Sequence, residues 1–225
     1  MAISADIFRP LPRIFPLAAA CVLITAAGAS GILPLEPLSL PPHAAGIIYS
    51  PWALLTYQLV HFDSIHLIFN LICIALAVIA LPRDLSTLRF YALFLLCGIA
   101  GGIVWLAASP ADAGPLCGAS ASALGLCASA ALAGSRKPLR RLLLLPVAAG
   151  VIAVSPALAA HLGGIAAGIA AGLMLRRSSR RRHALSDKQM HRDALINKMS
   201  ISGYGSLSEQ ERESLIDNLN SDTEK

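Results

Sequence analysis

One serine and a few polar residues inside apolar stretches are the side chains of this sequence that could do chemistry. Ser120 stands in the run Gly118-Ala119-Ser120-Ala121-Ser122, where a mostly apolar stretch begins. A serine just inside a helix N-terminus, with neighbours too small to block approach, suits a buried nucleophile. Small residues also let helices pack closely in a bilayer, and the run by itself favours that role. Its meaning therefore depends on polar residues elsewhere in the chain.

The composition indicates a membrane protein. Of the 225 residues, 56% are hydrophobic and only 14% are charged, which leaves too little polar surface for a water-soluble protein of this size. A water-soluble function is therefore excluded. The net charge of +5 is explained by membrane topology and attraction to anionic lipid, with no sign of nucleic-acid binding. The five cysteines lie in apolar stretches without metal-ligand spacing, so they indicate packing and no metal site.

Six apolar runs follow one another along the chain, each close to the roughly 20 residues that cross a bilayer as a helix. The runs are residues 11–33, 54–81, 89–108, 117–133, 139–155 and 157–175. The first run also has features of a signal peptide, because Arg9 and Arg13 precede its apolar stretch and small residues close that stretch. Five further apolar runs favour a retained helix instead.

The positions of Lys and Arg predict the orientation. Basic residues precede run one, lie between runs two and three and between four and five, and follow run six, whereas the other connections contain none. The positive-inside rule then predicts that both termini are cytoplasmic. The connections expected on the outer side are residues 34–51, 109–116 and 155–157.

Runs two, four and six share a direction, and each carries unusual polar residues that are predicted to lie at a similar depth. These residues are His66, Asn70, Ser120 and His161. Ionisable groups at such a depth are costly unless they are paired or face a wet cavity, so a functional site is the default interpretation. A single residue of this kind could instead form an interhelical hydrogen bond that only fixes packing. Four at one depth favour a site.

Small residues indicate which runs pack together. Run six carries a stripe at four-residue spacing, made of Gly164, Gly168 and Gly172. Run four offers an equally bare face, made of Gly118, Ala121, Ser122 and Gly125. His161 lies three residues before Gly164 on the same helix face, so packing run four against run six would bring Ser120 within about 3 Å of it.

That juxtaposition predicts acyl-transfer chemistry. A neutral His161 can take the Ser120 proton as the hydroxyl attacks a peptide carbonyl, and then return the proton to the leaving amine. The acids near the outer face lie outside the runs or at their rim, so a Ser-His dyad is predicted; these acids are Glu36, Asp63 and Asp112. His66 and Asn70, four residues apart, share a helix face. The Ser120 backbone N–H, the Asn70 amide and His66 can supply donors to an oxyanion.

Three blocks of the sequence occur in the order, and on the runs, that one known family shows. The blocks are His61-Phe62-Asp63-Ser64-Ile65-His66-Leu67-Ile68-Phe69-Asn70-Leu71, Gly118-Ala119-Ser120 with Gly125, and Ala160-His161-Leu162-Gly163-Gly164 with Gly168. Over about residues 10–176, the chain resembles the rhomboid intramembrane serine proteases.

The resemblance implies an all-α fold of six transmembrane helices, with Ser120 as nucleophile and His161 as general base. It implies that His66 and Asn70 assist the oxyanion. The expected activity is cleavage of membrane proteins in or beside their transmembrane segments, without metal or cofactor. The expected location is a bacterial plasma membrane. Glycines at the site would allow close helix packing; these are Gly118, Gly125, Gly164 and Gly168.

The sequence departs from the family pattern at two positions. The family usually has glycine directly after the serine, where this chain has Ala121, and a Trp-Arg pair in the first outer loop, where it has Trp52 and Ala53. Activity is expected to survive the extra methyl of Ala121. Trp52 is equally explained as an aromatic residue of the membrane interface. His61 and Asp63 are interpreted as interfacial residues at the wet mouth of run two.

The predicted domains are a membrane domain over 1–176 and a basic, polar cytoplasmic tail over 177–225. The tail pattern predicts two short helices. The first contains Leu185, Met190 and Met199, and the second begins at the capping box Ser208-Glu209-Gln210-Glu211. Whether the tail binds a partner stays open.

Two other functions fit part of the pattern. A catalytically inactive rhomboid-like protein that binds membrane clients is suggested by Ala121. A small transporter is suggested by polar residues within the runs, but it gives no reason for a serine beside a histidine. Both alternatives remain open at the level of the sequence.

Overall fold

The computed structural model describes residues 10–110, 113–152 and 157–223, and within them the regular structure is helical. The predicted all-α class is therefore confirmed for the described residues. The helices are α1 Phe15–Ala29, α2 Ala53–Thr56, α3 Ser64–Ala80, α4 Thr87–Ala108, α5 Ser120–Ala133, α6 Lys137–Leu142, α7 Leu144–Ile152, α8 Leu158–Ser202 and α9 Glu209–Thr223. Three features used in the sequence predictions, Arg9, Asp112 and most of the connection at 155–157, lie outside the described ranges.

Among the residues that the structure describes, three helices are long and apolar enough to cross a membrane, as expected of an integral membrane protein. They are α1 with its preceding 3₁₀ turn, which together cover Leu11–Ala29, then α4 and the first part of α8. A fourth crossing is available if the segments Ala53–Leu59 and Ser64–Ala80 count as one span, although they are bent by 97°. Helix α5 is apolar but has only 14 residues. The count of six crossings stays a prediction.

The prediction that residues 54–81 form one helix is wrong. The backbone is extended at Val60 and Asp63, and α3 begins only at Ser64. The Asp63 carboxylate accepts a hydrogen bond from the backbone N–H of His66 at 2.7 Å, which makes Asp63 the N-cap of α3. A capping residue inside an apolar run therefore starts a new helix in a new direction.

The basic connections meet at one end of the membrane unit. Near the start of α1, the Arg13 guanidinium donates to the Leu85 carbonyl at 2.8 Å, in the link between α3 and α4. Ser135, in the link between α5 and α6, donates its backbone N–H to the Ala80 carbonyl at 3.0 Å. These contacts group the segments that carry the basic residues of the predicted cytoplasmic face.

Two links without basic residues pair with each other instead. Leu40 and Leu116 exchange backbone hydrogen bonds of 2.9 and 2.8 Å, which joins the segment after α1 to the segment before α5. The Ser109 hydroxyl also donates to the Pro42 carbonyl at 2.7 Å. The proline-containing segment 34–51 forms two short 3₁₀ turns, Glu36–Leu38 and Ala44–Ile48, because prolines prevent one regular helix.

Helix α5 is the most buried element of the membrane unit, since every residue from Ala121 to Ala131 is buried. The glycine stripe of α8 lies against it. A Cβ atom on any of these glycines would reach the α5 backbone, because Gly164 lies against Ala121, Gly168 against Gly125 and Gly172 against Ser129. The close backbone contact depends on the missing side chains.

The chain divides into two compact units, Met1–Met174 and Leu175–Lys225, and α8 continues from the first into the second. The prediction of a separate short helix around Leu185 is wrong, because this segment is part of α8. The turn after α8 uses Gly203 at a positive φ of 79°, a conformation that favours glycine.

The predicted capping box of α9 is confirmed. The Ser208 N–H donates to Glu211 at 2.8 Å, and the Glu211 N–H donates to the Ser208 hydroxyl at 3.3 Å. The Lys198 ammonium also lies 2.8 Å from Glu211 and is the main reason that the pKa of Glu211 is lowered to about 2. Three leucines of the same unit, Leu195, Leu207 and Leu215, are buried in a small cluster.

Candidate active site

The turn before Ser120 depends on Gly118. This residue has a φ of +110°, which side chains other than hydrogen rarely allow, and a Cβ atom on it would run into the His66 ring. Its backbone N–H donates to the Tyr57 carbonyl at 2.9 Å. Ser120 follows as the first residue of α5, so its own N–H is not used by the helix and can bind another acceptor.

The structure places His161 beside Ser120. The Nε2 atom of the imidazole lies 3.0 Å from the Ser120 hydroxyl oxygen. The other ring nitrogen, Nδ1, lies 3.1 Å from the backbone carbonyl oxygen of Gly150 in α7. A carbonyl oxygen only accepts hydrogen bonds, so Nδ1 carries the proton and Nε2 has a lone pair for the serine hydroxyl.

A cavity of about 470 Å³ opens onto this pair. Its walls come from α3, α5, α7 and α8 and are mostly apolar. The lining residues are Asp63, Ile65, His66, Phe69, Asn70, Cys73, Ser120, Ala123, Leu124, Pro146, Ala149, Gly150 and His161. The structure thus brings all four of the polar residues singled out in the sequence to one cavity.

His61 has a different place from the predicted wet mouth, because its side chain is only 1% exposed. Its Nε2 atom accepts from the Asn70 amide at 3.1 Å and from the Ala119 backbone N–H at 3.3 Å. Both of those groups are donors, so the proton of the ring must be on Nδ1. His61 therefore holds Asn70 and the turn before Ser120 together, a role that the sequence interpretation missed.

The extra methyl of Ala121 has a place in the helix packing. Ala121 is 1% exposed, and a Cβ atom built on Gly101 of α4 would lie only 2.6 Å from the Ala121 Cβ atom. Glycine at position 101 therefore leaves the room that the alanine occupies.

Within the described ranges, no three His, Cys, Asp or Glu side chains are grouped so that they could hold a metal ion. The hydrogen bonds of Ser120 and His161 described above involve one hydroxyl, one imidazole and one backbone carbonyl.

A comparison with protein families gives a match over residues 49–178 to the rhomboid domain. This is more than half of the chain. The chain belongs to the rhomboid family. The resemblance noted in the sequence is thus confirmed, and the matched region contains all four polar residues of the cavity. No curated protein sequence matches the chain.

Rhomboid family members are typically serine proteases that act on membrane proteins within the bilayer. In this rhomboid protein the matched region starts after α1 and ends within α8.

Proposed function

We propose that this rhomboid protein is an intramembrane serine endopeptidase that cleaves membrane proteins in or beside their transmembrane segments. Ser120 is the nucleophile and His161 the general base. The observation that supports this most directly is the 3.0 Å contact between the Ser120 hydroxyl and His161 Nε2, in a ring whose Nδ1 proton faces the Gly150 carbonyl. A hydrogen bond that only fixed helix packing could form with Nε2 either protonated or unprotonated. A general base needs the unprotonated Nε2 that this ring presents.

The proposed reaction has two halves. In the first, the Ser120 oxygen attacks the scissile carbonyl carbon while Nε2 takes the hydroxyl proton, and the C–N bond then breaks as Nε2 gives that proton to the leaving amine. In the second, Nε2 takes a proton from water as the water oxygen attacks the acyl-serine ester. The C–O bond to Ser120 then breaks, the proton returns to Ser120, and the new carboxyl terminus leaves.

Three donors are available for the oxyanion of each intermediate. The backbone N–H of Ser120 is free of the helix, and the Asn70 amide keeps a second hydrogen after its bond to His61. The His66 ring also lines the cavity. Loss of one such donor typically costs about 2.7–4 kcal/mol of transition-state stabilisation. His66 and Asn70 therefore act in the reaction without exchanging protons with the substrate.

The apolar walls of the cavity suit a substrate segment that arrives from the bilayer. The proposed setting is a plasma membrane with six crossings, both termini in the cytoplasm and the cavity toward the outer side. The tail after about residue 176 is proposed to be a separate cytoplasmic domain. Each reaction step uses only side chains, backbone groups and water.

The test is cleavage of a labelled single-pass substrate by protein reconstituted in liposomes. Wild type and Ser129→Ala, a control at another buried serine of α5, should cleave it. Ser120→Ala and His161→Ala should each lose about 10³-fold or more in kcat/KM. Wild type should also label with a serine-directed fluorophosphonate, and Ser120→Ala should not. Equal cleavage by all four proteins would reject the proposal.

The alternative of an inactive rhomboid protein that binds membrane clients is motivated by Ala121. It predicts that the wild type neither cleaves the substrate nor reacts with the fluorophosphonate, but still binds the substrate in the liposomes. A transporter predicts solute flux that depends on His66 or His161. The same four proteins, together with His66→Ala, separate these outcomes when cleavage, labelling and solute flux are all measured.

A further inference from the structure

Helix α7 contributes a backbone group to the proposed catalytic pair. Serine hydrolases commonly orient their histidine with a carboxylate on the far ring nitrogen. Here His161 Nδ1 lies 3.1 Å from the carbonyl oxygen of Gly150. We propose that the Gly150 carbonyl is a positioning group, which holds His161 in the tautomer and ring orientation that Ser120 requires. This inference rests on the proposed function.

A backbone carbonyl suits the apolar surroundings of the cavity. A carboxylate buried in a membrane protein is expensive unless it is paired, whereas a carbonyl is a neutral acceptor. Gly150 lies in α7, Leu144–Ile152. The carbonyl oxygen carries a partial negative charge, which favours the positive charge that His161 gains during the reaction.

The residue type at position 150 explains how the carbonyl comes so close. Gly150 is the one buried residue within the described α7. A Cβ atom on it would run into the Leu124 side chain of α5. Without a side chain at position 150, the backbone of α7 can lie directly against the Leu124 side chain of α5 and face the ring of His161.

The arrangement ties the base to the wall of the cavity. Pro146 and Ala149, on the same helix as Gly150, line the cavity beside Ser120. A substrate segment that fills the cavity therefore touches the helix that orients His161. The position of α7 sets whether Nε2 points its lone pair at the serine, so α7 supports catalysis without touching the reacting atoms.

The test changes one atom of the backbone. Replacing Val151 by its α-hydroxy analogue converts the amide between residues 150 and 151 into an ester, whose carbonyl is a weaker acceptor, and leaves every side chain in place. It also removes one helix N–H. The matched control replaces Ile152 by its α-hydroxy analogue, which removes one N–H of the same helix but keeps the Gly150 amide carbonyl.

With the liposome assay, the ester at 151 should lower kcat about threefold to tenfold with KM unchanged, the size expected for one weakened hydrogen bond. The ester at 152 should keep the wild-type kcat. The second readout is ¹⁵N NMR of ring-labelled histidine, with the His161 signals assigned from the His161→Asn spectrum. Wild type and the 152 ester should show His161 protonated on Nδ1 alone, and the 151 ester should show both tautomers.

Two esters with the same kcat and the same single tautomer as wild type would overturn the role of Gly150. That result is distinct from failure of the proposed function, in which wild type itself does not cleave. The tautomer measurement does not depend on cleavage, so it tests the Gly150 contact in either case.

Discussion

Helices α5 and α7 both line the cavity, but they are held in opposite ways. Every residue of α5 from Ala121 to Ala131 is buried, and its backbone touches the glycine stripe of α8. In the described part of α7, Leu144–Ile152, only Gly150 is buried, while Leu145 and Val151 are 65% and 44% exposed. One wall of the cavity is therefore fixed by backbone contact, and the other rests on a few side chains.

The difference matches the tasks proposed for the two helices. A nucleophile gains from a fixed position, because a small displacement of the reacting atoms reduces the rate strongly. The wall that a substrate segment must touch gains from weak packing, since weakly packed elements open at low free-energy cost. Ser120 is on the fixed helix, and the group that orients His161 is on the weakly packed one.

The largest expected effect comes from the same substitution made at both helix contacts. Gly168→Ala would place a Cβ atom 2.6 Å from the Gly125 Cα atom. Gly125 contributes only backbone atoms to this contact, so no side-chain rotation can relieve the clash. Gly150→Ala would meet only the end of the Leu124 side chain. Neither Gly168 nor Gly150 has a positive φ. The gain in helix propensity from glycine to alanine is therefore the same at both positions.

We expect Gly168→Ala to lower the free energy of unfolding by about 1–3 kcal/mol or more, and Gly150→Ala by less than about 1 kcal/mol, since the entropy gain of alanine offsets part of the strain. Unfolding of both variants in mild detergent micelles measures the difference. Equal losses would show that α5 and α7 are held alike.

An intermediate effect is expected from two serines of α5. Ser122 is fully buried and donates its hydroxyl hydrogen to the Gln58 side-chain oxygen at 2.7 Å. Ser129 is equally buried, but within the described ranges its hydroxyl has no hydrogen-bond partner. Ser122→Ala leaves the Gln58 oxygen unpaired and should cost about 1–3 kcal/mol of unfolding free energy, whereas Ser129→Ala should be neutral or slightly stabilising.

The same micelle unfolding measurement tests this pair. A loss at Ser129→Ala as large as that at Ser122→Ala would mean that α5 owes its place to small-residue packing alone, with no contribution from the buried hydrogen bond.

The sequence was sufficient to predict the fixed side of the cavity. The four-residue spacing of the α8 glycines and the single depth of Ser120 and His161 are side-chain patterns, and they predicted the contact between α5 and α8. The sequence was insufficient for His61, because its burial depends on a turn 58 positions away in the chain. One signal was present: His61 lies inside the apolar run 54–81 that was treated as a span.

Two other features have no pattern of their own in the sequence. The break before α3 depends on whether Asp63 caps a helix or faces solvent at the membrane interface. The residue type alone permits both. The contact with Gly150 is made by a backbone carbonyl, which every residue possesses. Only the path of the chain selects that carbonyl.

The smallest expected effect requires no substitution. Amide hydrogen exchange of the wild type in micelles should be at least about tenfold faster for α7 than for the middle of α5, because local opening of α7 exposes few buried apolar groups. Helix α4, whose buried residues include Phe90, Phe94 and Trp105, is the internal reference, and these positions should exchange slowly, as α5 does. Equal protection of α5 and α7 would mean that α7 opens only with the whole bundle. The Gly150 carbonyl would then be as firmly placed as Ser120, and a substrate would have to reach the pair without moving that wall.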